Sequence, residues 1–178
     1  NVPLKREDTM SLDFPVAEYE ARLAALRREM LVRRVEVLIV DQFEHLVYLL
    51  GYLPTAAKYQ GCIVPIEGTP KMIVRSMDLS VLRTHSWLDS FREFADYEDP
   101  VDILGEELQR DFSKSTIGFE GDSHLFTVGR YLQLTRHLPG ANLVDFSPAL
   151  IEMRLIKSPT ELDYLREAAG IADGCMAE

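Results

Sequence analysis

The stretch Glu152-Met-Arg-Leu-Ile-Lys-Ser-Pro-Thr-Glu-Leu-Asp-Tyr-Leu-Arg-Glu-Ala-Ala169 is the most legible part of this chain. Ser158 is an N-cap residue type, Pro159 suits the first helical position, and Glu161 stands where its carboxylate can return a bond to the cap amide. Together they spell a capping box, so a helix is predicted to start there. Leu162, Leu165, Ala169, Ala172 and Met176 continue an apolar stripe at helical spacing, with no Gly, Asn or Pro stop behind it. The chain therefore reads as cut inside a helix, and an uncovered stripe of this kind predicts self-association or fraying.

Upstream, apolar runs of two periods alternate. Tyr19, Leu23, Leu26 and Met30 step at helical spacing after Pro15, while Arg22, Arg27, Arg28, Arg33 and Arg34 read as a solvated face. Val35-Glu-Val-Leu-Ile-Val40 is short, β-branched and nearly all apolar, which suits a central strand. A short helix over 41–51 closes at Gly51, and a loop over 52–60 leads to a strand over 61–66. The Glu67-Gly-Thr-Pro70 turn joins it to a strand over 71–75 as a hairpin, and Pro65 places the first of these strands near a sheet edge.

Further on, a short helix over 78–86 and a strand over 90–95 precede a helix that Asp99 caps and Pro100 opens. Val101, Leu104, Leu108 and Phe112 form its buried stripe, so Asp102, Glu106, Glu107 and Asp111 read as its wet side rather than as a metal site. A strand over 115–120, a helix over 123–137 built on Leu125, Val128 and Leu132, a strand over 141–146 and a helix from Ser147-Pro148 complete the series. The fold class is α/β, a mixed β-sheet with helices on both faces.

The chain has 178 residues with 47% hydrophobic and 27% charged side chains, enough for one substantial core. Its net charge of −10 argues against nucleic acid as a partner. No apolar run is long enough to span a membrane, and residues 1–13 lack the apolar core of a secretory signal. Asn1 at the start reads as a processed or vector-derived end. Cys62 and Cys175 lie in unrelated settings, which fits a reducing, cytoplasmic location.

Chemistry-bearing motifs are sparse. The glycine spacings of dinucleotide and nucleotide phosphate loops are absent, as is a nucleophile elbow. His45, His85, His124 and His137 lack metal-ligand spacing, and Glu44-His45 reads as a polar pair at a strand-to-helix edge that a distant residue can join.

Met153-Arg-Leu-Ile-Lys-Ser-Pro-Thr-Glu-Leu162 and Leu165-Arg-Glu-Ala-Ala169 resemble the interdomain junction of the creatinase/prolidase family. Phe14, Glu18-Tyr19 and Arg22-Leu23 resemble that family's first helix, and Val37-Leu-Ile-Val40 with Tyr48-Leu-Leu-Gly-Tyr52 its first strand and following turn. The resemblance runs in order from about residue 12 onward.

It implies a disordered or vector-derived leader over 1–13, an amino-terminal domain over 14–153, and over 154–178 an interdomain linker with the start of the first helix of a "pita-bread" catalytic domain. That second domain binds a pair of divalent metals, manganese, cobalt or zinc, through Asp, His and Glu side chains. A metal-bridging hydroxide there attacks the scissile carbonyl. No catalytic residue and no metal ligand is carried over to this chain.

The parent is then a metal-dependent Xaa-Pro dipeptidase or aminopeptidase acting on proline-containing peptides or small amides. This domain's expected partners are its own carboxy-terminal catalytic domain and a second copy in a homodimer, with a role in substrate access. Arg154, Lys157, Ser158 and Glu161 mark the interdomain junction, and Tyr52, Lys58 and Tyr59 the substrate-access loop. That loop has no arginine, which disfavours a bidentate clamp for creatine. A creatinase-like non-peptidase hydrolase and a free-standing α/β binding module are the alternatives.

Overall fold

The computed structural model describes residues 11–177. Ten residues of the expected leader lie outside them, but Ser11 N–H donates to the Thr84 carbonyl at 2.8 Å. The elements are α1 (Val16–Val32), β1 (Val37–Val40), α2 (Phe43–Leu50), β2 (Gly61–Pro65), β3 (Lys71–Arg75), α3 (Leu79–His85) and β4 (Phe91–Phe94). Then follow α4 (Pro100–Phe112), β5 (Thr116–Phe119), α5 (Val128–His137), β6 (Asn142–Asp145), α6 (Ser147–Leu155) and α7 (Pro159–Ala177).

The strands form one six-stranded sheet in the order β4-β3-β2-β1-β5-β6. β1 pairs antiparallel with β2 and parallel with β5, while β2–β3 is the expected antiparallel hairpin and β3–β4 and β5–β6 are parallel. Side-chain alternation along the central strands feeds two cores. Leu38, Val40, Cys62, Val64, Met72 and Val74 pack with α1, α2 and α6 on one face. Val37, Ile39, Ile63, Ile73 and Ile117 pack with α4 and α5 on the other. The mixed sheet covered on both faces is the architecture expected from the alternating pattern.

Several local expectations hold in detail. Asp99 accepts the Val101 amide at 2.8 Å and caps α4, and Gly51 ends α2 in the left-handed conformation at φ 74°. Tyr19, Leu23, Leu26 and Met30 are all buried under α1.

Four others are corrected. β2 is interior, not near an edge; Pro65 is tolerated because the pairing with β3 ends at Lys71 opposite Ile63, before Pro65 is reached. α5 starts at Val128, where the Thr127 hydroxyl accepts the Arg130 amide, and its Val128 and Leu132 face solvent while Leu134 is buried. Gly105 of α4 decides that rotation, since the His137 ring lies so close that a Cβ there would approach it to 2.6 Å. Glu107 is buried, not wet, and pairs with Lys71 at 2.7 Å and Arg110 at 3.2 Å. Arg22 is buried as well, and Arg27 bonds the Pro65 carbonyl at 3.1 Å, so the arginine face of α1 is only partly solvated.

Gly51 offers a direct test of the frame. A Cβ there would lie 2.6 Å from the His85 carbonyl oxygen, in a conformation that side chains already disfavour. Gly51→Ala is expected to lower stability by about 1 to 3 kcal/mol, measured by urea denaturation.

Candidate functional site

The capping box expected at Ser158 forms at the start of α7 and carries contacts beyond the cap itself. Ser158 N–H donates to Glu161 Oε2 at 2.8 Å, and Glu161 N–H donates to Ser158 Oγ at 3.1 Å, which is the reciprocal capping box. The Ser158 hydroxyl also donates to Glu18 of α1 at 2.6 Å. Lys157 donates its ammonium to the Arg154 carbonyl. Arg154 borders an open groove of about 380 Å³ lined by Phe43, Glu44, Val47 and Leu53.

The access-loop residues separate into two groups. Tyr52 and Tyr59 are buried, so neither is part of an exposed loop surface. The Tyr52 hydroxyl donates to Gln60 Oε1 at 2.8 Å, and Gln60 in turn donates to Asp78 at 2.8 Å, which also accepts from Thr55. This chain of bonds ties the loop to the turn after β3. The Tyr59 ring lies under the Arg130 guanidinium at 4.8 Å. Burial pushes both phenols above their ordinary range. Lys58 alone reaches the surface, and its ammonium donates to the Asp96 carbonyl at 3.0 Å.

A third constellation escaped the sequence pattern. β1 and β5 are parallel neighbours, so the residues that follow them, Asp41 and Glu120, emerge side by side at the same sheet end. Glu120 Oε2 accepts the amides of Asp41 at 2.7 Å and Gln42 at 3.0 Å, and its other oxygen pairs with Nδ1 of His45. Gln42 supplies no side-chain cap to α2, and the carboxylate that follows β5 instead holds the two backbone amides that lead into the helix. The carboxylate that joins His45 is thus Glu120 from the next strand, while adjacent Glu44 points to solvent. The only signal in the sequence is a charged residue directly behind each of two apolar runs.

The cluster is sealed. His45, Asp41 and Glu120 are each about 1% exposed. The Asp41 carboxyl oxygens, His45 Nε2 and the Tyr59 hydroxyl have no hydrogen-bond partner within bonding geometry among the described residues. Burial, then the neighbouring Glu120 charge, pushes the Asp41 carboxyl up to about 8, a rise that the Ser123 and Tyr59 hydroxyls only partly oppose. Buried in this way, these side chains fasten the start of α2 to the end of β5. Among the described residues no group of three or more His, Cys, Asp or Glu is arranged to hold a metal ion, so a dinuclear centre does not fit here.

Asp41 carries a sign-definite pH dependence. Its carboxyl titrates near 3.8 when free and near 8 when folded, so between those values the folded chain holds the extra proton. Stability therefore falls as pH rises from about 4 to about 8 through this group. Asp41→Asn is expected to flatten that slope and to raise stability at pH 8 by about 1 to 3 kcal/mol, read from urea midpoints across the pH range.

Comparison with known proteins matches these features. The family model of the Creatinase/Prolidase N-terminal domain covers residues 22–156. Ectoine hydrolase of Halomonas elongata is 30% identical over 93% of this chain, which spans 44% of that protein. In structure, prolidase from Thermococcus sibiricus superposes with a TM-score of 0.76 at 21% identity, over 89% of this chain and 43% of that one. Dipeptidase PepE from Mycobacterium ulcerans superposes with a TM-score of 0.73 at 22% identity, over 92% and 44% of the two chains. The present chain thus spans under half the length of these relatives, within the amino-terminal part that the family model describes. With the family model matched over most of its length and the six-stranded mixed sheet in place, this chain belongs to the creatinase/prolidase amino-terminal domain family.

Proposed function

We propose that this chain is the non-catalytic amino-terminal domain of a metal-dependent hydrolase of the Xaa-Pro dipeptidase or aminopeptidase type, contributing to subunit pairing and substrate access. The observation that carries the reading is α7. It leaves the domain with Leu165, Ile171 and Met176 respectively 52%, 63% and 88% exposed, an apolar row open to a partner. In proteins of the relatives' length, the following domain is the occupant we assign to it. Lys58 and the groove of Phe43, Val47, Leu53 and Arg154 are the surface features we assign to access and to contact with that domain.

The metals and the hydrolytic chemistry belong, in this reading, to the following domain, since the described residues of this one offer no ligand set. Both cysteines are free, Cys62 buried and Cys175 exposed, which supports a cytoplasmic site of action. No described helix is long and apolar enough to cross a membrane.

A second reading has its own support. The ectoine hydrolase match extends over 93% of the chain, which favours a non-peptidase hydrolase acting on a small amide-like substrate. The loop over 52–60, with Lys58 and no arginine, speaks against creatine itself.

One assay separates these. The longer gene product and the 178-residue chain are each tested for manganese-dependent hydrolysis of Xaa-Pro dipeptides, longer Xaa-Pro peptides, ectoine and creatine. The expected outcome is Xaa-Pro cleavage by the longer protein and none by the chain alone. Ectoine opening without Xaa-Pro cleavage would install the second reading, and turnover by the isolated chain would overturn the accessory role.

A further inference from the structure

We propose that Arg22 is a positioning residue that sets the direction in which α7 leaves the domain, clamping the first helix to the last through Glu18, Ser158 and Glu161. Arg22 is 6% exposed, although it sits on a face that its sequence context marks as wet. Its guanidinium donates to the Tyr48 carbonyl at 2.9 Å and pairs with Glu18 at 2.7 Å and Glu161 at 3.3 Å. The flat cation is held between the rings of Phe14, at 4.2 Å, and Tyr48, at 4.3 Å.

The consequence lies in how Glu161 is shared. One of its oxygens closes the capping box on the Ser158 amide, and the other meets Arg22. Ser158 is shared in the same way, accepting from the Glu161 amide while donating to Glu18. A capping box by itself starts a helix without choosing its direction. Here the groups that cap α7 are also ligands of α1, so starting the helix and aiming it are one event.

A second pin removes the remaining swivel. The Tyr164 hydroxyl donates to the Asp13 carbonyl at 2.7 Å, and its ring meets Phe14 edge-on at 5.4 Å. From Leu165 to Met176 every residue is exposed, so these contacts in the first two turns are what orients the helix among the described residues. Lysine is a poor substitute for Arg22, because a point ammonium cannot stack between two rings while bonding three acceptors in its plane.

That this direction places a following domain rests on the function proposed above; the clamp itself does not, and it is tested on the 178-residue chain alone. One nitroxide label goes on exposed Cys175, with buried Cys62 left unreacted, and a second on Arg28→Cys at an exposed position of α1. The labelled chain is expected to give a single narrow distance distribution by pulsed electron resonance. Arg22→Met should broaden it roughly twofold or more as α7 samples other directions. Glu161→Gln removes the α7 side of the clamp and leaves the core untouched, so it keeps the test valid if Arg22→Met unfolds; it too should broaden the distribution. Arg22→Lys should fall between. Distributions as narrow as the parent's in folded Arg22→Met or in Glu161→Gln would overturn the clamp, whatever the activity of the longer protein proves to be.

Discussion

All four side chains of β1 are buried, and the strand is shared between an antiparallel partner, β2, and a parallel one, β5. The remainder of the molecule depends on this double engagement. Val37 and Ile39 enter one core while Leu38 and Val40 enter the other, so a one-residue slip would exchange the two layers of helices. Gly118 of β5 is the companion constraint, because a Cβ there would come within 2.9 Å of Leu38. The parallel pairing also brings the ends of β1 and β5 together, and with them Asp41 and Glu120.

Two buried polar nodes then convert this frame into specific directions. At the sheet end, Glu120 holds the backbone amides just before α2, and His45 in the first turn of α2 joins that helix to the residue after β5. Nearer the C-terminal end of α2, Arg22 gathers Tyr48, Glu18 and Glu161. Groups this deeply placed are strongly penalised when left unpaired, so each node tolerates few alternative arrangements. Asp41 is the exception, a carboxyl with no hydrogen-bond partner among the described residues, and burial favours its neutral form. Both nodes contact α2, the short helix that leads into the loop holding Lys58, which links the frame to the surface assigned to substrate access.

Legibility in the sequence followed the range of the interaction. Ser158, Pro159 and Glu161 announced a helix start because a capping box is complete within four residues, and Asp99 and Gly51 were readable for the same reason. The stripe on α1 was equally clear, yet it gave no warning that Arg22 is buried, since beyond Glu18 its partners are the distant Tyr48 and Glu161. Glu107 misled similarly: its helical position is polar-facing by periodicity, but Lys71 of the next layer covers it. In α5 it is Leu134 that faces the core while Val128 and Leu132 face solvent, and His137 lies close against Gly105 of the neighbouring helix. His45 drew notice beside Glu44, although its partner stands on a strand distant in sequence.

By itself, then, the sequence determined the alternation of helices and strands, their caps and stops, the mixed sheet and the family to which the junction motif points. These rest on local backbone chemistry and on side-chain periodicity, both of which act within a few residues. Tertiary structure alone decided which polar residues are buried, that β2 is interior, that Tyr52 and Tyr59 are wall rather than surface, and where α7 points. Those outcomes depend on partners brought together by the parallel β1–β5 pairing and by helix docking, and the free energy of a buried charge is set by such partners, not by its neighbours in the chain.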